Sequence, residues 1–221
     1  TRCSRDWSSD VCSSDLAAAQ GGAVRDADLD EFVRDCVTGG VDIVQLRDKD
    51  ADDETITAAA RRLVPVCADL GVPFIVNDDP AIALAVGADG VHVGQDDMSV
   101  AHCREVLGPD AIVGLSTHAS EEFDAALPQA ATYLSAGPIV PTPTKPGRPG
   151  TGLDYAVAST ARSDRPVFVT GGVTDENVTS LVHAGLRHFV VVRYLTESPN
   201  PKQAAQSLRR RLDEALSAVT I

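Results

Sequence analysis

From residue 41 onward, short apolar runs alternate with longer segments whose apolar residues recur at three- and four-residue spacing. The runs 41–46, 72–76, 90–93, 111–115, 132–136, 167–169 and 188–192 read as buried strands. The segments 26–38, 53–70, 80–86, 100–107, 120–127, 154–162, 175–183 and 201–219 read as helices. Pro65 should bend the second helix or set a boundary in it, Ser120 is a plausible N-cap, and Thr174 or Asp175 could cap the helix that follows Gly171-Gly172. In the last helix Ala204, Leu208, Leu212, Ala215 and Val219 form one stripe. Apolar strands alternating with helices signal a parallel sheet covered on both faces. Seven strands are countable after residue 40, and a closed (β/α)8 TIM barrel needs eight.

The missing first strand should precede the helix at 26–38, where only AAAQGGAV stands. Residues 1–16 are polar, repeat Ser-Ser-Asp, and lack both the basic start and the apolar core of a signal peptide. DVCSSDL resembles the conceptual translation of a sequencing-library adapter, which implies an assembly artefact; a native disordered tail is the alternative. Residues 1–20 are therefore set apart as non-native or disordered, and 21–221 are read as a single barrel domain whose first strand is missing or replaced by that segment. Such a loss would weigh heavily against a net stability of ~5–15 kcal/mol.

Composition narrows the function. A net charge of −13 argues against a broad basic surface for nucleic acid, and no apolar run approaches a membrane span. The expected setting is cytoplasmic. The five cysteines show no zinc spacing and no disulfide framework, so reduced structural thiols are expected.

The chemistry should sit after the strands, because a (β/α)8 barrel builds its site at their C-terminal ends. Gln45, Arg47 and Lys49 alternate at one strand end, and two cations there could hold a diphosphate; a solvated strand end is the bland alternative. Asn77-Asp78-Asp79 and Gln95-Asp96-Asp97 follow the next two strands, and paired carboxylates suit Mg²⁺, although one such cluster alone is often a helix cap. Ser116-Thr117-His118 ends another strand; the hydroxyl could bind phosphate, and His118 is either a proton carrier or, preferably, a structural histidine. The segment 137–152 holds too many Pro and Gly for a regular element, yet Thr142, Thr144 and Lys145 offer two hydroxyls and a cation to an anion. Gly171-Gly172 and Val192-Arg193 lie where barrels commonly bind phosphate. No Ser/His/Asp triad or strand-borne Schiff-base lysine stands out.

Taken together, QLRDK (45–49), ND (77–78), HVGQDD (92–97), GLSTH (114–118), GPIVPTPTK (137–145) and TGGV (170–173) resemble the thiamine-phosphate synthase family. The resemblance implies a (β/α)8 transferase that joins hydroxymethylpyrimidine diphosphate to thiazole phosphate, releasing pyrophosphate by a dissociative, Mg²⁺-assisted route. It implies that Asp78 and Asp97 hold Mg²⁺ and that Arg47, Lys49, Asn77, Ser116 and Lys145 hold the diphosphate. Gln45 would lie beside the pyrimidine, while Thr142, Thr144, Gly172, Val192 and Arg193 would surround the thiazole phosphate. Arg47, Lys49, Ser116 and Lys145 are the implied catalytic residues. The partners implied are these two small phosphorylated substrates, with a homo-oligomer left open. The family's opening strand, an apolar run ending in Thr-Asp, is not visible. Two alternatives stand beside this reading: a related thiazole tautomerase, which would not need Arg47, Lys49, Asp78 and Asp97 together, and a truncated, non-catalytic phosphate-binding barrel.

Overall fold

The computed structural model of the protein describes residues 11–14, 29–141 and 149–219. Seven strands form a curled, all-parallel sheet in sequence order: β2 (Ile43–Leu46), β3 (Phe74–Asn77), β4 (Gly90–Val93), β5 (Ile112–Thr117), β6 (Tyr133–Ala136), β7 (Val167–Val169) and β8 (His188–Val190). Between them run α1 (Leu29–Thr38) before β2, then α2 (Asp53–Leu70), α3 (Pro80–Val86), α4 (Val100–Leu107), α5 (Ser120–Ala126), α6 (Leu153–Arg162) and α7 (Val178–His183). After β8 come α8 (Arg193–Thr196) and α9 (Pro201–Val219).

Strand period explains where the core sits. Val44, Leu46, Phe74, Val76, Val91, Val93, Leu134 and Val169 face the helices in the large apolar cluster. The alternate positions Ile43, Ile75, Tyr133 and Phe168 pack with one another inside the curl. One inward step further along β2 to β6 the residue turns polar: Gln45, Asn77, His92, Ser116 and Ser135, with Thr170 just past β7. The interior is thus apolar at one end and hydrogen-bonding at the other, at the C-terminal ends of the strands.

The short element β1 (Val11–Ser14) changes the account of the N-terminus. It runs parallel to β2, with Cys12 opposite Ile43 and Ser14 opposite Gln45, and parallel to β8, with Val11 opposite Phe189. Four residues of the segment set aside from the fold therefore do enter the sheet. The physical reason is that β2 and β8 each present a row of backbone donors and acceptors, and an extended segment satisfies them through its main chain.

Several local expectations are corrected. Helix α2 runs through Pro65, whose side is exposed, between an Asp52 cap that accepts from the Thr55 N–H at 2.9 Å and a left-handed Gly71. Ser120 does not cap α5; the cap position is Ala119, and the Glu122 carboxylate instead accepts the His118 N–H at 2.7 Å. Neither Thr174 nor Asp175 caps α7, which begins at Val178 after Asn177. Asp175 turns to α9, where its carboxylate accepts from Ser207 Oγ at 2.7 Å. On α9 the buried stripe is Ala205, Leu208, Leu212 and Ala215, while Val219 is 42% exposed. The Arg209 guanidinium fastens this helix to the start of β2, donating to the Gly40 carbonyl at 2.8 Å and to the Asp42 carboxylate. Cys36, Cys67 and Cys103 are buried thiols, and burial first, with nearby Asp charge second, pushes Cys36 and Cys67 up to about 12. Among the described residues no helix is long and apolar enough to cross a membrane.

Candidate active site

The parallel register brings the ends of β2, β3, β4 and β5 to one side of the mouth. There Lys49 Nζ lies 2.6 Å from Asp78 Oδ2. Asp78 holds a positive φ of 67°, and its N–H donates to the His92 carbonyl at 2.7 Å, so the backbone after β3 is tied to β4. A non-glycine residue in this region is uncommon and is kept there by its surroundings. Asp97 closes the turn after β4 by accepting the Gly94 N–H at 2.7 Å.

The two carboxyl groups reach hydrogen-bonding range of each other and their affinities for the proton diverge. Burial raises Asp78 above the ordinary carboxylate value, and the neighbouring Asp97 adds to this, against the opposing pull of Lys49. For Asp97 burial also pushes upward, but the Gly94 N–H, the Asp78 carboxyl, Lys49 and His92 outweigh it and hold the group below the ordinary value. Like charges forced together separate in this way. Two hard oxygen donors crowded at a strand end fit a divalent cation such as Mg²⁺, which needs only one or two protein carboxylates. Among the described residues no cluster of three or more His, Cys, Asp or Glu offers an all-protein cage.

Ser116 lies beside this cluster, buried on β5, its Oγ 2.8 Å from His92 Nε2. Gln95 Nε2 donates to the Ser116 carbonyl at 2.6 Å, linking the β4 loop to the end of β5. Gln45 is buried on β2, Asn77 ends β3, and Arg47, half-buried, follows the end of β2. His118 has a holding role: its N–H and its Nδ1 both meet Glu122 Oε2, at 2.7 and 3.1 Å.

The other side of the mouth is made of main chain. Thr142, Thr144 and Lys145 lie outside the described residues, but both stems of their loop are fixed. The Ile139 N–H donates to the Thr170 carbonyl at 2.8 Å, the Thr151 N–H to the Pro138 carbonyl at 2.8 Å, and the Gly152 N–H to the Ile139 carbonyl at 3.2 Å. This closeness depends on missing side chains. A Cβ on Gly171, whose φ is +103°, would stand 2.8 Å from the Ile139 nitrogen, and one on Gly172 would stand 2.9 Å from Val140 Cγ2. Asn177 locks the glycine turn by donating to the Gly172 carbonyl at 2.8 Å and accepting the Thr174 N–H at 3.0 Å. Val192 and Arg193 mark the start of α8, with Arg193 exposed.

The structure thus brings Lys49, Asp78 and Asp97 together, sets Ser116 against His92, and sets Gly172 against the loop stem. Sequence reading included His92 and Gln95 in the motif HVGQDD without giving either a role, and passed over Tyr133 and Asn177. For His92 a signal existed, since the inward residue nearest the mouth is polar on strand after strand.

Comparison with known proteins identifies the family and the fold. Residues 18–195 match the family described as thiamine monophosphate synthase, a span that begins after β1. Thiamine-phosphate synthase from Thermus thermophilus is 42% identical over 188 residues, covering 85% of this chain and 90% of that protein. The Thermobifida fusca thiamine-phosphate synthase is 43% identical over 193 residues, covering 86% of this chain and 88% of that protein. A solved thiamine phosphate pyrophosphorylase from Pyrococcus furiosus superposes with a TM-score of 0.79 at 26% identity, covering 93% of this chain and 95% of that one. With the family match running through every strand from β2 to β8 and relatives above 40% identity over most of their length, this chain belongs to the thiamine monophosphate synthase family.

Proposed function

We propose that the chain joins hydroxymethylpyrimidine diphosphate to hydroxyethylthiazole phosphate, producing thiamine phosphate and pyrophosphate. The observation that carries this reading is the meeting of Lys49, Asp78 and Asp97 at adjacent strand ends, two carboxylates suited to a divalent cation beside an ammonium suited to the diphosphate it would accompany. The bond between the pyrimidine methylene carbon and the diphosphate oxygen breaks first, and its electron pair leaves with the diphosphate. The thiazole nitrogen then gives its lone pair to the methylene cation and forms the new C–N bond.

No protein nucleophile is needed. The residues hold two partners in line and stabilise charge as it develops on the leaving group. Lys49, with Arg47, Asn77, Ser116 and Lys145, binds the diphosphate; Gln45 orients the pyrimidine. Thr142, Thr144, Gly172, Val192 and Arg193 bind the thiazole phosphate. Asp78 and Asp97 would hold Mg²⁺, which supplies further neutralisation of the departing diphosphate. Residues 21–221 are inferred to form a single (β/α)8 barrel domain whose first strand is replaced by β1 of the preceding segment. A thiazole tautomerase would leave the Lys49–Asp78–Asp97 cluster without a task.

The test is thiamine phosphate formation by the purified chain from the two phosphorylated precursors, with and without Mg²⁺. Mg²⁺-dependent product is expected. Folded protein that isomerises thiazole phosphate but never couples it to the pyrimidine would refute the synthase reading.

A further inference from the structure

Below the mouth, three groups from three strands form one hydrogen-bonded chain. Tyr133 on β6 places its hydroxyl 2.9 Å from His92 Nδ1 on β4, and His92 Nε2 lies 2.8 Å from Ser116 Oγ on β5. All three residues are buried. The Tyr133 ring stacks on the imidazole at 5.5 Å between centroids and meets Phe168 edge-on at 5.0 Å, so its position is set by packing. Gly114 makes the pair feasible, because a Cβ there would stand 2.4 Å from His92 Nδ1 and 2.2 Å from Tyr133 Cζ. Ser116 is held from the other side by Gln95 through its carbonyl.

Such a chain has two polarities. In one, Ser116 gives its proton to Nε2 and can only accept from a ligand. In the other, Tyr133 donates to Nδ1, the Nε2–H donates to Ser116 Oγ, and the serine proton is left for a partner in the site. A phenol is far more acidic than an alkyl hydroxyl and is the better donor to imidazole. We propose that Tyr133 and His92 are positioning residues that fix Ser116 as a proton donor toward an anionic oxygen of the departing diphosphate. This rests on the synthase reading above. Neither residue touches substrate; both act through the serine, as outer partners orient the group that does.

Two measurements on the full chain test it. Imidazole ¹⁵N shifts, assigned by the signal lost in His92→Gln, are expected to show Nδ1 bare and Nε2 protonated; the reverse tautomer overturns the proposal. This readout stands even if the chain makes no thiamine phosphate, in which case the synthase reading fails separately. In kinetics, Tyr133→Phe keeps the ring and removes one hydrogen bond, so kcat should fall about tenfold with the KM for thiazole phosphate unchanged. In a Ser116→Ala background the same substitution should cause no further loss, and His92→Gln should retain more activity than His92→Leu. Additive losses in the double variant, or a lowered melting temperature with wild-type kcat, would reduce the relay to core packing.

Discussion

The two sides of the mouth are built from different material. The side formed by β2 to β5 uses charged and polar side chains: Lys49 against Asp78, Asp97 on the Gly94 N–H, Ser116 on His92. The side formed by β6 to β8 uses backbone, with Ile139, Thr151 and Gly152 bonded through main-chain groups and Gly171 and Gly172 leaving the room. The first side stores electrostatic tension, visible in the opposed shifts of Asp78 and Asp97. The second stores shape. Substitutions on the first should therefore strike turnover without harming the fold, and substitutions on the second should strike both.

The largest effect is expected at the carboxylates. Asp78→Asn and Asp97→Asn should each lower Mg²⁺-dependent turnover by roughly 100-fold or more. Their stabilities should differ in sign. Burial raises the folded-state pKa of Asp78, so its contribution favours the fold below the ordinary carboxylate pKa and is lost as pH rises through the raised value. At neutral pH the ionised group opposes folding, and Asn, which tolerates positive φ, should leave Tm unchanged or raise it. Asp97, whose carboxyl is held low, stabilises the fold above the ordinary carboxylate pKa and loses that as pH falls, so Asp97→Asn should lower Tm slightly at neutral pH. Thermal melts across pH with turnover assays check this; a large Tm loss in Asp78→Asn at wild-type turnover would reverse the assignment.

Lys145→Ala comes next, with turnover expected to fall about 100-fold because the leaving diphosphate loses a cation. An effect confined to the KM of thiazole phosphate would move Lys145 to the other side of the comparison. Gly171→Ala should cost roughly 1–3 kcal/mol through positive φ and its contact with the Ile139 nitrogen, several degrees in Tm, together with a raised KM for thiazole phosphate. A fully stable variant with unaltered KM would show that this side does not depend on shape. The smallest effect is a gain of a few degrees when residues 1–20 are replaced by an apolar strand of the kind the sequence shows at 41–46 or 72–76. No gain would mean that main-chain pairing by Val11–Ser14 already supplies what the slot needs.

Elements with strong local signals are legible in the sequence alone. Helices α3, α4 and α9 and strands β4 and β7 have the bounds their patterns predict, because Pro80 after Asp79, Ser99, Pro201 and the flanking glycines punctuate them locally. The lone turn of α8, the Asn177 lock and the path through Pro65 are not legible there, since each depends on a neighbour remote in sequence or on which face meets water.

By itself the sequence determined the alternation of strands and helices, the family to which the chain belongs, and the residue types gathered after each strand, because period, turn chemistry and motif order are written locally along the chain. Only the tertiary structure decided that Lys49, Asp78 and Asp97 share one cluster and that Tyr133 stands behind His92 and Ser116. It also decided that Val11–Ser14 lies between β2 and β8. These are consequences of register between strands, and register is fixed by the packing of a whole interior rather than by any one stretch of it.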